Sequence, residues 1–210
     1  MAIDDLLDEH EQSERVLQWL RNNGAGLIGG VLLGLAAIGG WKWWEHRGEQ
    51  QRMDLSTRYQ SALDAIEAKD AQAEAKVKAL GGSGTYGALA ALELARSQVD
   101  AKKTDAAIAT LRGIRSEDAA IMEIVNQRLA RLLIDARQAD AALKLVANAT
   151  APSAIEVRGD AQFALGQLEQ ARTSYSQALA KLDVASPQRR LLELKLTEVG
   201  GTPAKPEAKS

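Results

Sequence analysis

The chain has no cysteine in its 210 residues, which rules out disulfides, thiolate metal sites and thiol nucleophiles and leaves the redox compartment open. Histidine occurs only at His10 and His46, on either side of a long uncharged stretch, so two imidazoles cannot share a site. Excess positive charge is also missing. A net charge of −2 argues against a nucleic-acid partner, whose counterions only a basic face displaces. Proline numbers 4 and aromatics make up 4%, while Ala, Leu, Glu, Gln, Lys and Arg abound, a composition that costs least in helix interiors. No alternating strand pattern occurs. The glycines at 24–34 lack the lysine and preceding strand of a phosphate loop, and no activated Ser set or His-carboxylate metal spacing is present. No catalytic residue, metal site or cofactor is expected, and carboxylates such as Asp135 and Asp160 read as solvated faces.

What is present divides the chain into regions. Residues 1–23 carry six acids (Asp4, Asp5, Asp8, Glu9, Glu11 and Glu14) against Arg15 and Arg21. Residues 24–41 carry no charge, and from residue 45 onward 23 basic and 22 acidic side chains follow. The uncharged stretch is near the shortest that spans a bilayer, and extension to residues 23–44 gives enough helix. All four tryptophans flank it, Trp19 before and Trp41, Trp43 and Trp44 after, as interfacial indoles do. A cleavable leader would be short and basic, whereas this one is acidic, so a retained membrane anchor is expected. Gly26, Gly30 and Gly34 recur every fourth residue and line one face, where small residues admit a second helix closely. Lys42, Arg47 and Arg52 outnumber Arg15 and Arg21, so charge alone puts the C-terminal side in the cytoplasm. That rule is weak beside a large domain.

Beyond the anchor, Met53, Leu55, Tyr59, Leu63 and Ile66 recur at helical spacing, and 71–80 reads as a second helix ended by Gly81-Gly82. An internal repeat follows. Leu94-Ala95 precedes Ala107 and Leu111; Leu129-Ala130 precedes Ala142 and Val146, 35 residues later. A third copy, six residues closer, has Gly159, Ala171, Tyr175, Ala178 and Leu179. Each copy reads as a helix hairpin in which a small residue on one helix faces a small residue on the other. The large residue four places on fills the gap to the next hairpin. These are tetratricopeptide positions. Pro187 precedes a last helix near 189–199, a plausible cap, and residues 200–210 have nothing to bury.

The expected fold is therefore all-α, a single transmembrane helix followed by a tetratricopeptide-like helical-hairpin solenoid. Its parts are an acidic tail (1–22), the membrane helix (23–44), linking helices (45–82), the repeat domain (83–199) and a disordered tail (200–210). Such stacks bind peptides or partner helices in a groove lined by the first helix of each hairpin. Counting from the small residues points Arg96, Gln127, Arg131, Glu156, Asp160 and Phe163 towards that groove.

Several blocks resemble the ancillary subunit of the bacterial Sec translocon, a family of membrane-anchored tetratricopeptide-like proteins. They are Ile38-Gly-Gly-Trp41-Lys-Trp-Trp44, Thr85-Tyr-Gly-Ala-Leu-Ala-Ala-Leu-Glu-Leu-Ala95, Val125-Asn-Gln-Arg-Leu-Ala-Arg131, Gln138-Ala-Asp-Ala-Ala-Leu143 and Arg158-Gly159-Asp160. The similarity runs from about residue 13 to 199, and the polar flanks depart from it. The resemblance implies a cytoplasmic N-terminus, one span of the inner membrane and a periplasmic repeat domain. It further implies that the protein binds the Sec channel with a membrane-anchored prolyl-isomerase-like chaperone and assists exported client proteins. In some members the N-terminal tail also sequesters a cytoplasmic stress-response regulator, a second role open to this acidic segment.

Overall fold

The computed structural model describes residues 4–81 and 84–203, with side chains from residue 13 onward except at 48, 49 and 51. Among the described residues there are nine α-helices and no strand: α1 (Asp4–Glu67), α2 (Ala73–Ala79), α3 (Thr85–Asp100), α4 (Thr104–Gly113), α5 (Ala119–Asp135), α6 (Ala139–Leu145), α7 (Pro152–Ala164), α8 (Leu168–Lys181) and α9 (Arg189–Glu198). The chain divides into two compact units, residues 1–54 and 55–210, with the boundary inside α1.

In the first unit the helix already runs through residues 4–22, expected as a tail, and continues through the uncharged stretch without a break. Val31, Leu32, Leu33, Leu35 and Ile38 all stand exposed. None of the most apolar 18-residue window is buried, and α1 is long and apolar enough to cross a membrane. A core helix would have covered these side chains. Trp41 and Trp44 meet edge to face at 6.1 Å between ring centroids, and the Arg47 guanidinium lies 5.4 Å from the Trp43 ring centre. The last turns of the stretch thus carry an amphipathic collar of indoles and a cation.

The second unit is a run of helix hairpins, each closed by one kind of turn. Lys69, Lys102, Arg137 and Gly166 all have left-handed φ, between 54° and 74°, and lie 33, 35 and 29 residues apart. Around each, the same two hydrogen bonds close the preceding helix. Lys102 N–H donates to Val99 O and Lys103 N–H to Gln98 O, both at 2.8 Å; Arg137 and Gln138 repeat this onto Ile134 and Leu133 at 2.9 and 2.7 Å. Gly166 and Gln167 do so onto Phe163 and Gln162 at 2.9 Å, and Lys69 and Asp70 onto Ile66 and Ala65 at 3.1 and 2.9 Å. This is the Schellman closure, which satisfies carbonyls left over at a helix end by turning the chain back in two residues.

The recurrence shows four hairpins where the sequence suggests three. The extra one pairs the end of α1 with α2, within the stretch expected to be linking helices. Ala62, Ala65 and Ile66 of α1 pack with Ala73, Val77 and Leu80, and this cluster takes in Ala90 and Leu94 of α3. Tyr59 and Tyr86 meet at a tilt across the same contact, 5.1 Å between centroids.

The expected repeat residues form the core. Ala95, Ala107 and Leu111, then Ala130, Ala142 and Val146, share one cluster reaching Val157 and Ala161 of α7. Burial of a Leu or Val there contributes roughly 1.5–3 kcal/mol each. Ala171, Tyr175, Ala178 and Leu179 of α8 pack in turn with Leu192 and Leu196 of α9, which caps the stack. Individual helix starts are fixed by local chemistry. The Asp118 carboxylate accepts from Ala120 N at 2.8 Å at the head of α5, and Pro152 opens α7, where its missing N–H costs nothing.

One boundary needs correction. The tail expected to be disordered from residue 200 begins with ordered chain. Gly200, at φ 76°, and Gly201 close α9 onto Thr197 and Leu196 as the other turns do, and a Cβ at Gly201 would strike the Leu196 side chain. The rest of that expectation, residues 204–210, lies outside the described residues.

Candidate interaction surface

Four of the residues expected in the groove fall into two groups joined by Arg131, and Gln127 and Phe163 lie outside both. Glu156 and Asp160, one turn apart on α7, both face Lys195 of the cap. Its ammonium donates to Glu156 Oε1 at 2.6 Å and to both Asp160 oxygens at 2.8 Å. Asp160 Oδ1 also accepts from the Tyr175 hydroxyl at 2.9 Å. Asp160 is therefore not the solvated carboxylate its sequence context suggests; its side chain keeps 22% exposure and two partners. Sequence periodicity missed this because Lys195 lies on the cap, beyond the last repeat.

Electrostatics follow the geometry. Burial would lower the Lys195 pKa, yet its hydrogen bonds to Asp160 and Glu156, with their charges, outweigh burial and hold it above the usual lysine value. The Tyr175 phenol is pushed up, first by burial and then by the neighbouring Asp160 charge. Both shifts keep Lys195 charged and Tyr175 protonated at neutral pH, so the cluster is a fixed ionic lock rather than a proton-transfer site.

Arg158-Gly159-Asp160 acquires a physical explanation here. Arg158 donates to Ser174 Oγ at 3.1 Å, Gln177 Oε1 at 2.7 Å and Ala147 O at 3.1 Å, tying α7 both to α8 and to the preceding hairpin. Gly159 lies under the Tyr175 ring, where an added Cβ would collide with the ring carbons. That close approach delivers the Tyr175 hydroxyl to Asp160.

The other group lies between α3 and α5. Arg131 reaches Glu156 only at 3.8 Å, and Glu156 already has Lys195 closer. Arg96 pairs with Glu93 on its own helix at 3.3 Å, with 67% of its side chain exposed. These two arginines border a cleft of about 370 Å³ with Leu92, Ala95, Val99 and Leu132. Arg128, which the repeat count passed over, completes the rim. The signal was available: Arg128 sits three residues before Arg131, on the same helix face. Gln127 is committed elsewhere and accepts from Ser153 Oγ at 3.1 Å, a bridge between hairpins. Phe163 stands 39% exposed near the end of α7, apart from both groups.

A further bridge fixes α7 to α5. Glu123 accepts from the backbone N–H groups of Ala151 at 2.8 Å and Thr150 at 2.9 Å, capping α7 from the previous hairpin. The Ala151 and then the Thr150 hydrogen bond hold its carboxyl below the usual glutamate range. Among the described residues no group of three His, Asp or Glu side chains is placed to hold a metal.

On α1, a Cβ added at Gly26, Gly30 or Gly34 would meet nothing within 4 Å, so this face is uncovered.

A stack of helix hairpins, each closed by one recurring turn and lined by small-residue pairs, defines a tetratricopeptide-like repeat protein. The family model described as a tetratricopeptide repeat-like domain accordingly matches residues 17–201. Three curated relatives are each named ancillary SecYEG translocon subunit. The Escherichia coli protein is 33% identical across 91% of this chain and 97% of its own length. The Neisseria gonorrhoeae protein is 27% identical across 90% of this chain and 96% of its own, and the Haemophilus influenzae protein 26% across 82% and 89%. The chain belongs to the family of ancillary SecYEG translocon subunits.

Proposed function

We propose that the chain is a membrane-anchored adaptor of the Sec translocon whose output is protein contacts rather than catalysis. The observation that carries this reading is the 33% identity to a named translocon subunit, extending over nearly the whole of both chains. The exposed apolar helix supports anchoring, and the hairpin stack supports partner binding.

In this reading α1 crosses the inner membrane once, with its N-terminus in the cytoplasm and the hairpins in the periplasm. The Gly26, Gly30 and Gly34 face packs against a partner helix in the bilayer, where close backbone approach replaces hydrophobic drive. The groove bearing Arg96, Gln127, Arg131, Glu156, Asp160 and Phe163 meets a membrane-anchored prolyl-isomerase-like chaperone and emerging client proteins, which the adaptor assists as a chaperone. A second, separable role is supported by the six acids of residues 1–23: retention of a basic cytoplasmic regulator.

Two measurements test the reading. Affinity purification of the tagged full-length chain from detergent-solubilised inner membranes recovers the Sec channel; its consistent absence would remove the adaptor role. A C-terminal alkaline phosphatase fusion is active in cells, and an inactive fusion would reverse the topology.

A further inference from the structure

The cleft between α3 and α5 is lined mainly by positive charge. Its lining holds three guanidinium groups, those of Arg96, Arg128 and Arg131, against the single carboxylate of Asp100. Arg128 makes no hydrogen bond or ion pair among the described residues. Arg131 has only the 3.8 Å approach to Glu156, whose nearer cation is Lys195 at 2.6 Å, itself shared with Asp160. Arg96 is held by an exposed i,i+3 pair, which contributes little in water and is easily exchanged. Between these cations the floor is apolar. Leu92 and Leu111 are buried, but Val99 is 39% exposed and Leu132 is only partly covered. The neighbouring, larger cleft between the first hairpin and α3 sets the carboxylates of Glu67, Asp70, Glu74, Glu93 and Asp100 against Lys69, Arg96 and Lys103, so its balance is acidic.

We propose that the α3–α5 cleft captures an acidic polypeptide segment of another protein, seating one apolar side chain on Val99 and Leu132 while flanking carboxylates meet Arg128, Arg131 and Arg96. This rests on the groove reading above and gives it a partner chemistry. A cleft of about 370 Å³ holds a side chain or two, not a helix, so an extended segment is the occupant. Guanidinium groups bind carboxylates bidentately and lose less hydration than ammonium groups, so a rim of arginine suits a partner that comes and goes. Because the rim is exposed, charge sets the sign of the preference and the apolar floor supplies the hold.

The test uses the full-length chain in detergent micelles and short fluorescein-labelled peptides, followed by anisotropy. One peptide carries a Leu-Phe pair flanked by Asp and Glu; a second replaces the acids by Lys; a third keeps the acids and replaces Leu-Phe by Ala. The first peptide binds at least about tenfold more tightly than either of the others, a difference of about 1.4 kcal/mol, and added salt weakens it. Arg128→Glu, at an exposed position with no partner to lose, weakens the acidic peptide about tenfold and strengthens the lysine peptide. Equal binding of acidic and basic peptides, or an unchanged preference in Arg128→Glu with an unchanged thermal melt, would overturn the assignment. Channel recovery, measured in parallel on the same variant, separates the two claims. Retained channel with no peptide preference removes the cleft assignment alone, and a lost channel in the wild-type chain removes the adaptor reading alone.

Discussion

Lys195 and Glu156 stand 39 residues apart in the chain and 2.6 Å apart in space, one on the capping helix and the other nearly buried on α7. The contact converts a carboxylate facing the interior of the stack into the anchor of the last helix.

Replacing Lys195 by Met strands Glu156 and Asp160 in a partly buried site without their cation. The expected loss is about 2–3 kcal/mol, below the full cost of a broken buried pair because the lysine keeps some exposure to water. Urea unfolding measures it. The double variant Lys195→Met with Glu156→Gln recovers part of the loss if the uncompensated charge is its cause. Since the lysine pKa is raised in the folded state, its contribution is complete below the unfolded value of 10.5 and disappears as pH climbs through the folded value. The gap between wild type and Lys195→Met therefore narrows in strong base.

Glu123 has the opposite pH signature. Its pKa is lowered in the folded state, so its contribution is present above the unfolded value of 4.5 and lost as pH falls through the folded value. Glu123→Ala costs about 1 kcal/mol at pH 7, typical of a lost helix cap. Thermal melts of the two proteins, well separated at neutral pH, converge on acidification.

The three non-glycine turn residues are candidates for stabilisation. Lys102 and Arg137 hold φ values of 60° and 61°, which cost an L-residue roughly 1–2 kcal/mol and glycine almost nothing. Allowing for the added freedom of glycine in the unfolded chain, Arg137→Gly and Lys102→Gly each gain about 0.5 kcal/mol in chemical denaturation. Gly166→Ala, at φ 74°, loses about 1 kcal/mol.

Gly159→Ala puts a methyl group into the Tyr175 ring. Overpacking of this kind costs about 1–3 kcal/mol. It also withdraws the tyrosine hydroxyl from Asp160. Tyr175→Phe removes the hydrogen bond and spares the packing, so a larger loss in Gly159→Ala than in Tyr175→Phe identifies ring displacement as the main cost.

Much of the fold was legible because its core is written in spacing. Small residues twelve apart, followed by a large one four later, mark hairpins wherever the turn has constant length. The hairpin made by the end of α1 and α2 broke that rule. Ala62 is followed by Ala73 and Val77, one residue sooner than in the later copies, so the template slid off it. The family resemblance was readable for a different reason: Arg158, Gly159 and Asp160 each carry a distinct contact, so the block is chemically specific. The candidate surface was less legible. Periodicity gives the direction of a side chain but not its partner, so spacing groups Arg131, Glu156 and Asp160 and misses Lys195, which pairs with both carboxylates. Gln127 is taken up by Ser153, a partner that spacing does not reveal.

The cap has a consequence for the length of the molecule. A stack of like hairpins has no intrinsic reason to stop, since each leaves an apolar edge for its successor. Here α9 supplies Leu192 and Leu196 to cover Ile155, Tyr175 and Leu179, and Lys195 locks it there. Cut the chain after Lys181 and that edge opens to water, ready to accept a neighbouring molecule in place of its own last helix. The ionic lock on α9 thus holds the cover over the last apolar edge of the stack.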